Sequence, residues 1–287
     1  MARRIEEGRP GEAKAVLNPD EPNPLLRFEY DRGSNYEGDT RITLAMAALI
    51  PEAELHNSDH RMFQIVHLIN EYVWCSMHHE LRGVIGALDN DDFGLAARLL
   101  TRTNGLADMP VQCVRLLQDF LPQASFLRMR DLLPANTSGL DSPGGRNLRR
   151  VCRALWQSFD AAMKRNGVTS LGLIEEFARE GGEVPAAWVG GLSTVQTGLH
   201  ALDCKLMEWN QLHLRLVRTH LGGHPAARTA PMPASTSTCA ASEGPTSLRG
   251  EPVSELERLS ERSVFPLLWK TVDDAYRQAT PARTSGI

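Results

Sequence analysis

The stretch "MFQIVHLINEYVWCSMHHELR", Met62–Arg82, reads as one long apolar helix with a histidine in its middle. Phe63, His67, Asn70, Trp74, Met77 and Leu81 follow at spacings of four, three, four, three and four. Side chains so spaced stand on one face of an α-helix. The face is apolar except for His67 and Asn70, and the pattern predicts that both turn inward. A second stretch repeats the pattern: Leu202, Leu206, Trp209, His213, Leu216 and His220 have the same spacings. Two helices that each present a central imidazole among Phe, Trp, Met and Leu suit a flat apolar cofactor held between them. Haem iron is commonly bound by one imidazole while a group on the other face tunes it. Two unrelated core histidines are the plain alternative.

Outward from these stripes, the chain reads as helices separated by breakers. "TRITLAMAALIP" is a short helix stopped by Pro51, and Ser58 or Asp59 caps the helix that runs to about Leu88. "FGLAARLLTRTNG" and "MPVQCVRLLQDFLP" read as two helices, ended by Gly105 and Pro122. "FLRMRDLL" is a short helix. "RNLRRVCRALWQSFDAAMKRNG" is an amphipathic one ending at Gly167, with Arg146, Arg149, Arg150 and Arg153 on a solvated face. "TSLGLIEEFAREGG" has Thr169 or Ser170 as its cap, and a long segment runs from Pro185 to about Leu221. The final helical region breaks near Pro266. Residues 1–40 form an irregular arm, 41–221 a helical core, 222–252 a low-complexity loop rich in Pro, Ser, Thr and Ala, and 253–287 a C-terminal helical segment of the same domain. With no alternating strands, no phosphate-binding glycine loop and no repeat, the expected fold is all-α, a bundle of long helices.

Composition narrows the function. A formal net charge of -4 gives no basic field for nucleic acid. No apolar run reaches membrane-spanning length, and "MARRIEEGRPGEAK" has no apolar run typical of a secretory signal. The five cysteines, Cys75, Cys113, Cys152, Cys204 and Cys239, are scattered and form no CxxC pair. Reduced thiols in a cytoplasmic protein are expected.

Several segments, in order along the chain, resemble the tryptophan 2,3-dioxygenases of the haem-dependent aromatic oxygenase superfamily. Phe63, His67, Glu71 and His79-Glu80-Leu81 match the family's distal helix, and Trp209, His213 and Arg215 in "WNQLHLR" its proximal helix. Phe126 and Arg130 in "FLRMRDLL" match the family's aromatic and, four residues on, the arginine that grips the substrate carboxylate. "YEGD" at Tyr36, "NTSGLDS" and "FPLLW" complete the series. The departures are as definite: "GGHPAARTAPMPASTSTCAAS" stands where the family has a Gly-Thr-Gly-Gly-Ser-Ser loop, and Phe126 replaces a tyrosine. They bring the chain closer to the superfamily's natural-product branch, which includes haem-dependent tyrosine hydroxylases and tryptophan monooxygenases.

The resemblance implies haem b held between the two long helices, with His213 the iron ligand and Phe63 and Trp209 beside the cofactor. It implies His67 as the catalytic acid–base group and Arg130, Phe126, Asn70 and Trp74 as the substrate pocket. It implies 3-hydroxylation of L-tyrosine to L-DOPA with hydrogen peroxide, or with dioxygen and a reductant, by a homodimer or larger assembly. Oxygenation of tryptophan or methyltryptophan is the alternative reaction. A non-catalytic haem-binding or interaction bundle is the rival of another class, and a zinc hydrolase built on His56 and His60 a weaker one. "HALDC", His200–Cys204, has the spacing of a thioether haem linkage in one relative.

Overall fold

The computed structural model describes residues 15–16, 19–27, 29–30, 40–133, 142–178, 187–229, 245–246 and 252–280. Tyr36, Cys239 and most of the expected arm, Ser-Gly loop and low-complexity loop lie outside them. The described chain is all-α apart from one two-residue antiparallel pair, β1 (Ala15–Val16) with β2 (Glu29–Tyr30). Its contacts divide it into two units, Met1–Ile65 and Val66–Ile287.

The first unit holds β1, β2, short 3-10 turns at Pro24–Leu26 and Glu52–Glu54, and helix α1 (Ile42–Ala47). Helix α1 ends before Pro51, as the fixed proline ring requires. The unit also contains the start of helix α2 (His60–Asp89), where Phe63 N donates to Asp59 O at 3.0 Å, so Asp59 occupies the cap position. His56 and His60 stack with ring centroids 4.6 Å apart, and His60 Nδ1 accepts from His56 N at 3.3 Å. This pair is a helix-start arrangement, with one of the imidazole acceptors already taken by backbone.

The second unit continues α2 and adds α3 (Phe93–Phe120), α4 (Gln123–Arg130), α5 (Pro143–Arg165), α6 (Ser170–Ala178) and α7 (Ala187–Leu221). Short α8 (Pro225–Thr229), α9 (Val253–Ser260) and α10 (Pro266–Ala279) follow. One expectation about the helices is overturned. The two helices predicted either side of Gly105 are a single helix, α3, which passes through Gly105 and Pro110. Tertiary contacts outweigh both breakers. Helix α3 packs along α7 more extensively than any other described pair of elements. Asn104 Nδ2 donates to Gly198 O at 3.0 Å, and Lys205 Nζ to Asn104 O at 2.9 Å, so the turn around Gly105 is tied to α7. Close approach depends on glycine: a Cβ at Gly191 would stand 2.7 Å from Phe93 Cβ, and one at Gly198 2.7 Å from Leu100 Cδ2.

The core lies between α2, α3, α5 and α7, with Met77, Leu81, Leu100, Phe159, Leu199 and Leu202 all at 1% exposure or less. Each such side chain contributes about 1.5–3 kcal/mol through burial. Phe265 of "FPLLW" joins the same core. Asp203 of α7, fully buried, fixes that segment. It accepts from Val264 N at 2.8 Å, Phe265 N at 3.3 Å, Trp269 Nε1 at 2.9 Å and from Ser263 Oγ. Thr169, not Ser170, caps α6, its hydroxyl accepting from Gly172 N at 3.0 Å. The arginines at 146, 149, 150 and 153 are exposed, as expected. The four described cysteines are free thiols, and burial together with Asp203 pushes Cys152 up to about 12. No described helix is long and apolar enough to cross a membrane.

Candidate functional site

Helix α2 is long because its apolar positions hold period for seven turns, and from Asn70 onward its stripe is core: Asn70 is 9% exposed, Trp74 5%, Met77 and Leu81 0%. On α7 the burial is graded the other way. Leu202 is fully buried, while Leu206, Trp209, His213 and Leu216 are half-buried. The two stripes meet there. Trp74 touches Trp209 edge to face, with centroids 5.6 Å apart. The Trp209 indole lies parallel to the His213 imidazole, 5.1 Å away and 6° from coplanar orientation. His67 is near enough for its charge to act on His213.

His67 corrects the sequence reading. The spacing predicts a buried histidine, but His67 is exposed. Periodicity fixes which face a residue occupies and not how deep that face lies, and this face of α2 is buried only from Asn70 onward. His213, half-buried, is the more enclosed imidazole of the two. Burial first, and the charge of His67 second, push its pKa down to about 4, so it is neutral at pH 7, the form in which one ring nitrogen has a lone pair for a metal. Two buried polar atoms flank the pair and have no hydrogen-bond partner: Asn70 Oδ1 on α2 and Trp209 Nε1 on α7. Such atoms are rare in folded chains, where buried polar groups are paired.

A second cluster forms around the C-terminal end of α7. His220, seven residues and hence about 10 Å beyond His213 on the same face, is buried. Its Nε2 lies 2.8 Å from Leu121 O, and its ring meets Phe126 edge to face at 5.4 Å. Gln123 Nε2 donates to His220 O at 3.2 Å, so α4 is held against α7. Arg130, at the end of α4, is half-buried and donates from Nη2 to Thr246 O at 2.8 Å. Thr246 and the anchoring role of His220 are absent from the sequence reading. His220 had a signal, its place in the α7 stripe, whereas Thr246 lies beyond a segment with no periodic pattern.

Of the predicted site residues, the fold therefore brings together His67, Trp74, Trp209 and His213, with Asn70 on the same α2 face. Phe126 and Arg130 form the second group along α7. Phe63, half-buried, belongs to the first unit. Glu71 serves the fold: its Oε2 accepts from Gly144 N at 2.8 Å and places a negative charge at the start of α5. A Cβ at Gly144 would stand 2.7 Å from Trp74 Cβ, so α5 begins directly against Trp74. Cys204 stands nine residues before His213, on the opposite face of α7, with Sγ 3.7 Å from His200 Nδ1. Burial raises its thiol pKa.

Haem would ask one neutral imidazole of the protein, for which His213 is the candidate, and apolar neighbours, for which Trp74, Trp209, Leu206 and Leu216 are the candidates on the two stripes. The unpartnered Trp209 N–H suits a carboxylate or carbonyl of a bound molecule. Among the described residues no group of three or more His, Cys, Asp and Glu is placed to hold a metal ion. Comparison with protein-family models and with curated proteins finds no match.

Proposed function

We propose that the chain is a haem-dependent oxygenase of a free aromatic amino acid, with L-tyrosine as substrate and ring C3 as the position hydroxylated. The observation that carries this reading is the stack of the His213 imidazole on Trp209, whose indole in turn meets Trp74 of the helix that also carries His67. Bound haem would supply the oxidising chemistry, drawn from hydrogen peroxide or from dioxygen with a reductant. His213 would hold the iron. Arg130 retains N–H groups besides the one given to Thr246, and its planar fork matches an α-carboxylate. A bound amino acid with its ring toward His67 and its carboxylate toward Arg130 would lie along the part of α7 between His213 and His220, about 10 Å of helix. Trp74 would stand beside the ring, and Phe126 nearer the carboxylate end. His67, exposed on α2, would take and return protons. With peroxide the balance closes alone: one oxygen enters the ring as hydroxyl and the other leaves as water. With dioxygen a two-electron reductant is required.

The test is spectral and chemical. Protein reconstituted with haem is expected to show a Soret band that moves on titration with tyrosine, and to form L-DOPA from tyrosine and peroxide. His213→Ala should lose most of the haem. His67→Leu should keep haem and stability, yet lose roughly 10²–10⁴-fold in rate. Protein that takes up no haem, or a His67→Leu variant as fast as wild type at equal haem content, would overturn the corresponding assignment. A Soret response to tryptophan alone would move the substrate to the indole ring.

A further inference from the structure

We infer that Asn70 selects a ring that carries its own hydrogen-bond donor, and so excludes phenylalanine. This rests on the oxygenase proposal and names the feature of the substrate that the site recognises. Asn70 is 9% exposed, and its Oδ1 is buried with no partner. It follows His67 by three residues and precedes Trp74 by four, so it stands between them on the α2 face that meets α7. A core position two turns from Met77, at 0% exposure, would ordinarily hold an apolar residue. An amide oxygen left unpaired there costs stability in the ligand-free chain. It is satisfied if a bound ring brings an O–H or N–H to it. Tyrosine and 4-aminophenylalanine do so. Phenylalanine and O-methyltyrosine leave the oxygen buried and unpaired, and a site built around a hydrogen bond rejects ligands that lack it.

The experiment measures dissociation constants on the haem-loaded protein for tyrosine, 4-aminophenylalanine, phenylalanine and O-methyltyrosine, in wild type and in Asn70→Leu. Wild type should hold the two donors roughly 10- to 100-fold more tightly than phenylalanine. In Asn70→Leu that ratio should fall to about one, through weaker binding of tyrosine and not of phenylalanine. The ligand-free variant should also melt at a higher temperature, because an unpaired buried amide has been removed. A ratio preserved in the variant overturns the inference, as does a wild type that binds phenylalanine as well as tyrosine. If Asn70→Leu does not fold, the wild-type ligand series decides alone, with Asn70→Ser as the second variant. Haem-loaded protein that binds none of the four amino acids overturns the oxygenase reading itself. Binding without discrimination overturns only the role of Asn70.

Discussion

His213 owes its chemistry to its surroundings. Its folded pKa, about 4, lies below the ordinary value of 6.5. Between those two values the unfolded chain binds a proton that the folded chain does not. The stability tied to the neutral imidazole is therefore complete above pH 6.5 and is lost as pH falls toward 4. At about 1.4 kcal/mol per pKa unit the loss is on the order of 3 kcal/mol. Urea midpoints at pH 7 and pH 4.5 should fall further apart in wild type than in His213→Leu, which has no imidazole to protonate. Equal separations in the two proteins would assign the acid sensitivity to other groups. The same neutral ring is the form an iron ligand requires, so folding and ligation ask the same protonation state of this residue. Asp203 shows the opposite solution to burial: a carboxylate with four donors around it, where His213 shares its space with apolar rings.

Helix α3 is where glycine has two meanings. Gly105 is exposed in mid-helix with open space around the position of a Cβ. Gly105→Ala should stabilise the protein by about 1 kcal/mol. Were the helix to end at Gly105, as the sequence suggests, alanine there would give no such gain. Gly198, on the facing helix, has Leu100 Cδ2 at 2.7 Å from any Cβ. Gly198→Ala should destabilise by roughly 1–3 kcal/mol through overpacking. Denaturant titration of the two variants reads both signs. The long helices, their stripes and the pairing of Trp209 with His213 were legible, because each is set by spacing along one element. The continuity of α3 was not, because it depends on hydrogen bonds from Asn104 and Lys205 that join residues about a hundred positions apart in sequence. Nor was the depth of His67, since a stripe has one face but changes depth along its length. Arg130 was legible by resemblance, and its partner Thr246 was not, because the partner is a backbone carbonyl and any residue carries one.

In the whole molecule, the proposed cofactor is also a proposed source of stability. A ligand that binds only the folded chain at a hundred times its dissociation constant adds about 2.7 kcal/mol. For a chain of this size that is a melting shift of roughly 5–10 °C. Calorimetry with and without saturating haem should show it in wild type and not in His213→Ala, and a wild type that melts unchanged would argue against binding at this site. The second unit is closed on itself by Asp203, which joins the middle of α7 to the start of α10. The Trp74–Trp209 contact has a further consequence, an optical one. The chain has five tryptophans, and two of them stand at right angles in the candidate site, one stacked on the imidazole whose charge changes, in the folded chain, around pH 4. Indole emission is quenched by a neighbouring imidazolium and drained by energy transfer to a porphyrin. The protein thus carries a native fluorophore at the place where its chemistry is proposed to occur, and its ultraviolet emission can report protonation and occupancy there without any label.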